Sequence, residues 1–302
     1  MTTLRQMRFL VALADTGNFS RAAEQCHVTQ STLSTGLKEM ESRLGVRVAE
    51  RTTHAVIMTP VGAALANRAR QILASVGDFE EMARAAANES ALQIRLGTIP
   101  TVGPFLLPRA LPILRKTWPR LKVYLREELT DALVAGLQDG RLDVILLALP
   151  HGLPENIETE ILFDDGYKMA LPRDHPLANL EKIEGPDLAG RDLLLLERGH
   201  CLQNHALSSV PGVVLSEDAS FSATSLPTLV SMVEEGLGVT LLPRLATDAG
   251  LTAAHDIHLS ELAHATPRQI ALAWRKSTAS RNLFQQIGEV LRDARRSLGE
   301  NT

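Results

Sequence analysis

The hydrophobic pattern of this chain changes once, near residue 91, and the change limits the fold more than any other feature. Before it, apolar residues recur at the spacing of α-helices, interrupted by one pair of strand-like segments within residues 46–62. After it, strand-like and helix-like segments alternate almost to the C-terminus. Such alternation is typical of βαβ units with largely parallel sheets. We therefore predict a helical N-terminal part followed by a larger α/β part.

The composition excludes several classes of protein. Hydrophobic residues make up 45% and charged residues 22% of the chain, which is ordinary for a globular protein. No apolar run approaches the roughly 20 residues of a membrane span, and the N-terminus has no signal-peptide pattern. Two cysteines, Cys26 and Cys201, do not make a disulfide framework. We expect a cytoplasmic protein without membrane contact, cofactor or metal ion.

Three segments within the first 45 residues are typical of a helix-turn-helix. Their apolar residues lie at helical spacing and their connecting turns are short. Ser20 is the predicted N-cap of the second helix, and Gly45 is expected to end the third. The strand-like pair that follows is interpreted as a wing. Because this module is only mildly basic, a small helical bundle with a polar surface is the alternative interpretation.

The third helix is the predicted recognition helix. In a helix-turn-helix, the second helix of the pair places its N-terminal residues against base edges in the major groove. Gln can bond an adenine edge, Thr offers a hydroxyl or a methyl group, and residues of the wing can hold phosphates. The candidate DNA-binding residues are Ser20, Thr29, Gln30, Ser31, Thr32, Ser34, Arg51 and Thr52.

A long helix is predicted from Pro60 to about Asn88. Proline sets φ for a helix start, and the apolar residues that follow alternate spacings of four and three, which is the heptad pattern of a coiled coil. A helix packed on its own domain is the alternative. The candidate dimerisation residues are Leu65, Ala69, Ile72, Val76 and Phe79.

Four motifs of the N-terminal module carry a resemblance to a known family. They are NFSRAA, VTQSTLS, LGVRVAERT and TPVG, and the stretch that they cover is similar to the winged helix-turn-helix of LysR-type transcriptional regulators. The resemblance implies double-stranded DNA as partner, a dimerising linker helix, homodimers or homotetramers, and RNA polymerase as a candidate partner. Thr35 departs from many relatives, which have arginine there, so the base preference of the family does not carry over.

The resemblance also gives the fold class and the domain boundaries. A winged helix-turn-helix at residues 1–59 and a linker helix at 60–90 precede a regulatory domain at 91–302. That domain is expected to have two α/β lobes, like a periplasmic binding protein. Lobe I covers about 91–164 plus 268–302, and lobe II covers about 165–267.

Motifs in the second part resemble the OxyR branch of the family, the hydrogen peroxide sensors. The most specific are IPTVGP, which contains Thr101, and the turn GHC, which contains His200 and Cys201. The resemblance implies that Cys201 reacts with peroxide beside His200. It assigns the hydroxyls that orient peroxide to Thr101 and Thr130, and it matches Arg275 to an arginine near the thiol.

The residues around Cys201 support a reactive thiol on physical grounds. A thiolate splits peroxide, so the pKa of the cysteine must be lowered. Cys201 follows the strand-like segment DLLLLE at residues 192–197 and precedes a helix-like one, whose N-terminus would favour an anion. His205 lies one helical turn further on. A lone cysteine is otherwise most often a buried and inert residue, which is the interpretation given to Cys26.

One position departs from the peroxide-sensing pattern. Those sensors have a resolving cysteine nine residues after the first, and this chain has Val210 there. Cys201 could stop at a sulfenic acid or mixed disulfide, pair with Cys201 of another subunit, or be a relic in a branch with a different signal. We predict the first. The alternatives are a regulator that binds a small organic acid between the lobes, near Thr101, Thr130 and Ser225, and a thiol peroxidase.

Overall fold

The computed structural model describes residues 1–51, 56–86, 93–197, 210–212 and 222–299, together with Leu202 and His205. The chain divides into two compact units. The first contains residues 1–90 with 135–141, and the second contains residues 91–134 with 142–302. None of the helices in the described part of the chain is long and apolar enough to cross a membrane.

The first unit is a three-helix module with a hairpin and a long helix. Its elements are α1 (Leu4–Thr16), α2 (Phe19–Gln25), α3 (Gln30–Leu44), β1 (Ala49–Arg51), β2 (Val56–Met58) and α4 (Pro60–Ala86). β1 and β2 pair antiparallel and form the predicted wing. Phe9 and Leu13 of α1 and Leu33 and Leu37 of α3 are buried in one core. The helix-turn-helix is therefore held together by the apolar faces of its helices, whose residues recur at helical spacing.

The ends of the short helices explain the sharp turns of the module. Thr29 caps α3 by accepting from the Thr32 backbone N–H, and Gly45 ends it with a φ of 70°. The predicted cap at Ser20 is wrong. Asn18 is the N-cap of α2, because its side chain accepts from the backbone N–H groups of Ser20 and Arg21.

The long helix α4 begins at Pro60, as predicted, but its apolar seam is not continuous. Ala69 is buried in the core of the helix-turn-helix, and Leu65 packs against that core. Ala69 is therefore not on an exposed seam, and its assignment to dimerisation stays a prediction. Phe79, further along, is 72% exposed. The first turns of α4 fit the alternative of a helix packed on its own domain.

The second unit contains two sheets. The strands and helices around the first sheet are β3 (Gln93–Thr98), α5 (Gly103–Thr117), β4 (Lys122–Glu127), α6 (Thr130–Gln138), β5 (Val144–Leu149), β6 (Ile157–Asp165), β13 (Arg268–Arg275) and α9 (Arg281–Gly299). The sheet has the order β4-β3-β5-β13-β6, in which β3 is parallel to β4 and β5, and β13 is antiparallel to β5 and β6.

The second sheet lies between β6 and β13 in the chain, where the elements are β7 (Tyr167–Pro172), β8 (Lys182–Ile183), β9 (Leu195–Leu196), β10 (Ser222–Ala223), α7 (Leu226–Glu234), β11 (Thr240–Pro243), α8 (Arg244–Asp248) and β12 (Ile257–Leu262). This sheet has the order β11-β7-β12-β8. β9 and β10 form a separate parallel pair. The chain thus leaves the first sheet after β6 and returns to it at β13, so the predicted two-lobed fold is confirmed.

One predicted strand is much shorter than the sequence indicated. The strand-like segment DLLLLE at residues 192–197 contains only β9, of two residues. Leu193 instead forms an isolated bridge with Val239, and the Leu194 carbonyl accepts from the Thr240 hydroxyl at 2.7 Å. Leu194 and Leu196 are buried in the core of lobe II, so burial accounts for the apolar character of the segment although only Leu195 and Leu196 form a strand.

Candidate functional site

Several candidate side chains follow strands of the first sheet, at one edge. Parallel strands β3, β4 and β5 end at the same edge, and Thr101, Thr130 and Pro150 come directly after them. Strand β13 runs the other way, and Gln269 pairs with Leu149. The first residue of β13, Arg268, therefore lies at this edge too. Ligand crevices of α/β sheets form at the carboxyl ends of strands.

The centre of this edge is a buried ion pair between Arg268 and Asp165. Arg268 Nη2 is 2.9 Å and Nε 3.0 Å from Asp165 Oδ2, and neither side chain is exposed. Arg268 Nη1 donates to the Thr101 hydroxyl at 2.9 Å, and Nη2 donates to its carbonyl at 3.1 Å. Asp165 Oδ1 accepts from the Leu245 N–H at 2.8 Å. The hydroxyl of Thr101 is thus held by a fixed positive charge.

The sequence prediction placed the arginine of this site at Arg275, and the structure corrects it. Arg275 is the last residue of β13, so it lies roughly 23 Å along the strand from Arg268. Its Nη1 donates to the Leu142 carbonyl at 2.7 Å, before β5 begins. Arg275 is therefore not brought together with Thr101. Arg268 could have been found from the antiparallel direction of the last strand, which puts its first residue at the ligand edge.

Thr130, at the start of α6, supplies a second hydroxyl at this edge. The residue is 2% exposed. Its Oγ1 has no hydrogen-bond partner within the described ranges. An unsatisfied buried hydroxyl costs free energy, so such groups are often found where a ligand will bind.

Thr130→Val is expected to raise the free energy of unfolding by about 1–2 kcal/mol, because it removes that unsatisfied hydroxyl and keeps the shape of the side chain. Thr240→Val is the matched control. The buried Thr240 hydroxyl donates to the Leu194 carbonyl, so removing it should lower the free energy of unfolding by about 1 kcal/mol. Urea unfolding at pH 7 measures both. A destabilised Thr130→Val variant would contradict this view of the hydroxyl.

His205 joins the edge from the other lobe. Its Nε2 lies 2.8 Å from the carbonyl oxygen of Pro150, and the residue is 8% exposed. Burial lowers the pKa of His205, the bond to Pro150 opposes this, and the charges of Arg268 and His151 lower it further. His205 is therefore neutral at pH 7, with Nε2–H as the donor to Pro150. His151 Nε2, in turn, lies 3.3 Å from Asp131 Oδ1.

The lowered pKa of His205 predicts a loss of stability in acid. Below about pH 6.5 the unfolded histidine binds a proton that the folded one does not, so stability is complete above that pH and falls as the pH decreases. His205→Gln keeps a donor for the Pro150 carbonyl but cannot titrate. Unfolding free energies between about pH 5 and pH 8 should show the wild type losing stability relative to this variant in acid. A pH-independent difference would contradict the prediction.

The predicted sensing residues Cys201 and His200 lie outside the described residues. Their described neighbours Leu202 and Val210 are both buried in the core of lobe II. Cys26, in the other unit, packs against the core of the helix-turn-helix, and burial raises the pKa of its thiol. Cys26 is therefore a poor nucleophile, in agreement with its interpretation as an inert residue.

The predicted DNA-binding residues come together at the start of α3. The hydroxyls of Thr29, Ser31 and Thr32 are exposed and bonded to one another at 2.8–2.9 Å. The Ser20 hydroxyl, on α2, donates to Gln30 Oε1 at 3.2 Å. This arrangement gives a polar surface with donors and acceptors for base edges.

The remaining predicted DNA-binding residues are less exposed or only partly described. Ser34 is half-buried. Arg51 ends β1, and Thr52 lies outside the described part of the chain.

Both parts of the chain match known protein families. Residues 4–63 match the bacterial regulatory helix-turn-helix proteins of the lysR family, and residues 87–296 match the LysR substrate binding domain. The chain therefore belongs to the LysR family of bacterial transcriptional regulators. The prediction of a regulator is confirmed.

Within this family the chain is similar to OxyR proteins. A hydrogen peroxide-inducible genes activator of Pectobacterium carotovorum subsp. carotovorum is 40% identical over 290 residues, which is 96% of each chain. A cysteine variant of full-length OxyR from Pseudomonas aeruginosa has a TM-score of 0.77 and 35% identity, with 97% of this chain and 98% of that chain covered. A peroxide-bound OxyR mutant of Corynebacterium glutamicum has a TM-score of 0.63 and 30% identity, over 99% and 94% of the chains.

Proposed function

We propose that this protein is a DNA-binding transcriptional regulator that senses hydrogen peroxide through Cys201. The observation that carries the proposal is the set of groups at one edge of lobe I. The Thr101 hydroxyl is fixed by buried Arg268, and the Thr130 hydroxyl is buried without a described partner. His205, four residues after Cys201, reaches the same edge. Similarity to peroxide-inducible activators over nearly the whole chain supports it.

The proposed chemistry needs only the thiol, peroxide and these polar groups. The Cys201 thiolate attacks one peroxide oxygen, the O–O bond breaks, and the second oxygen leaves as hydroxide, which takes a proton to become water. Cys201 becomes a sulfenic acid. Arg268 lowers the energy of negative charge near the thiolate and the leaving oxygen, and the hydroxyls of Thr101 and Thr130 orient the peroxide.

The fate of the sulfenic acid follows from the residue at position 210. Val210 has no thiol, and its side chain is buried in the core of lobe II. A disulfide within the lobe is therefore not available. A small cellular thiol can attack the sulfenic acid instead, which releases water and leaves a mixed disulfide on Cys201. Rearrangement of residues 199–215 would then carry the signal.

The DNA-binding part of the proposal uses α3 as the recognition helix in a promoter operator. Homodimers form through the exposed part of α4, around Phe79, and tetramers form from them. RNA polymerase is the partner through which such a regulator would act on transcription. The protein would work in the cytoplasm, where thiols are kept reduced.

A binding titration with the promoter DNA of the chain's own gene region tests the proposed function. We expect the affinity or the footprint to change after peroxide treatment of the reduced protein, and to return after reduction with dithiothreitol. Thr130→Val should need at least tenfold more peroxide for the same change. A panel of small organic acids is the parallel arm. A response to an organic acid, with none to peroxide, would overturn peroxide sensing and favour an effector site between the lobes.

A further inference from the structure

We infer that Arg5, at the start of α1, is a DNA phosphate contact that flanks the recognition helix. The inference rests on the proposed DNA-binding function and adds a residue outside the helix-turn-helix pair and the wing. It is carried by a groove with a volume of about 520 Å³ between α1 and α3. Arg5 and Thr3 line one side of this groove, and Ser31 and Thr35 line the other.

No described side chain neutralises the charge of Arg5. Across the described residues, Arg5 has no hydrogen bond and no carboxylate at ion-pair distance. Its guanidinium lies 5.4 Å from the centre of the Phe9 ring, which holds the side chain in place without cancelling its charge. A positioned cation without a counter-ion is the group that phosphate recognition needs.

The closeness of α1 to α3 has a specific cause in the sequence. A Cβ atom at Gly36 would lie only 2.9 Å from the Phe9 ring. Glycine at this position of α3 therefore lets the ring pack directly on the helix backbone. Arg5, one turn before Phe9 on α1, is brought beside the outer surface of α3 as a result.

The other charged residues of the groove are already engaged. Glu39 accepts from Gln6 Nε2 at 3.4 Å, and Arg43 donates to Gln6 Oε1 at 3.3 Å and to the Met1 carbonyl. With Arg5 the groove has two cations and one anion, so it attracts an anionic occupant. Arg5 is the cation that an occupant can bind without breaking an existing bond.

The occupant that fits is the sugar-phosphate backbone beside the major groove. An α-helix with its side chains is about 10–12 Å wide, and the major groove is about 12 Å wide, so a docked α3 has phosphates directly at its flanks. Ser31 and Thr35 are exposed on α3 and line the groove with Arg5. A backbone that follows the flank of α3 would therefore meet the Arg5 guanidinium.

Salt-dependent DNA binding tests the inference on the full-length protein. Binding constants of wild type and Arg5→Ala are measured at several salt concentrations, on promoter DNA and on an unrelated duplex. Each lost phosphate contact reduces the slope of log K against log salt by about 0.9. For Arg5→Ala we expect the slope to fall by about 0.9 for each subunit bound to DNA. The affinity should fall by a similar factor on both duplexes, because phosphates carry no sequence information.

Two variants separate a phosphate contact from a structural effect. Arg5→Lys keeps the charge and should keep the slope. Arg8→Ala removes an exposed positive charge of α1 outside the groove and should leave the slope unchanged. An Arg5→Ala variant with wild-type slope would overturn the inference, as would a loss confined to promoter DNA or one that Arg5→Lys shares. Wild-type protein that binds neither duplex would overturn the proposed DNA-binding function itself.

Discussion

Asp165→Ala should lower the free energy of unfolding by about 3–5 kcal/mol, the largest loss of stability expected from a single substitution at the site. The change leaves the guanidinium of Arg268 buried with no counter-ion. Removing one partner of a buried ion pair destabilises the fold more than replacing both partners by apolar residues. The backbone N–H of Leu245 also loses its acceptor. Urea unfolding of the full-length protein measures the change.

Two controls show whether the burial of the Arg268–Asp165 ion pair causes the loss of stability in Asp165→Ala. Asp256→Ala breaks an ion pair with Arg173 in which both side chains are largely exposed, and no measurable shift of the unfolding midpoint is expected. The double variant Asp165→Leu with Arg268→Met should be more stable than Asp165→Ala alone, because apolar pairs often replace buried ion pairs without loss. Equal midpoints for Asp165→Ala and wild type would contradict the account of this network.

Cys201→Ser should abolish the response to peroxide altogether, the largest functional effect expected. A serine hydroxyl does not ionise near neutral pH and is a much weaker nucleophile than a thiolate, so the O–O bond is not broken. Transcription from a reporter promoter, in cells that lack their own peroxide regulator, measures the response. The variant should still bind DNA, because its helix-turn-helix is unchanged.

Cys26→Ser is the matched control for this experiment. The thiol of Cys26 has a raised pKa and lies against the core of the other unit, so this variant should respond to peroxide like the wild type. A full response from Cys201→Ser, or a loss of response in Cys26→Ser, would show that the sensing thiol was assigned to the wrong residue.

The architecture could be predicted because it depends on periodic patterns. Helical spacing before residue 91 and alternating elements after it lead to the two-part fold. The length of the strand at residues 192–197 could not be predicted from such a pattern. Leu194 and Leu196 are buried in the core of lobe II and Leu193 packs against it, while only Leu195 and Leu196 lie in a strand. An apolar run alone does not separate burial from strand pairing.

The site could be predicted only where it follows strand ends in the chain. Thr101 and Thr130 lie in motifs directly after strands, so sequence order leads to them. Arg268 and Asp165 are separated by 103 positions and meet only because β13 lies antiparallel beside β6. The cap of α2 was missed for a smaller reason, since Asn18 and Ser20 are both good capping residues two positions apart.

Intact-protein mass spectrometry of the reduced chain, after substoichiometric hydrogen peroxide, tests peroxide sensing at Cys201 most directly. We expect a gain of one oxygen atom, mapped by peptide analysis to Cys201, and conversion to a mixed disulfide when a small thiol is added. We also expect DNA binding to change in step with that oxidation. No mass change on Cys201, together with unaltered DNA binding, would show that Cys201 does not sense peroxide.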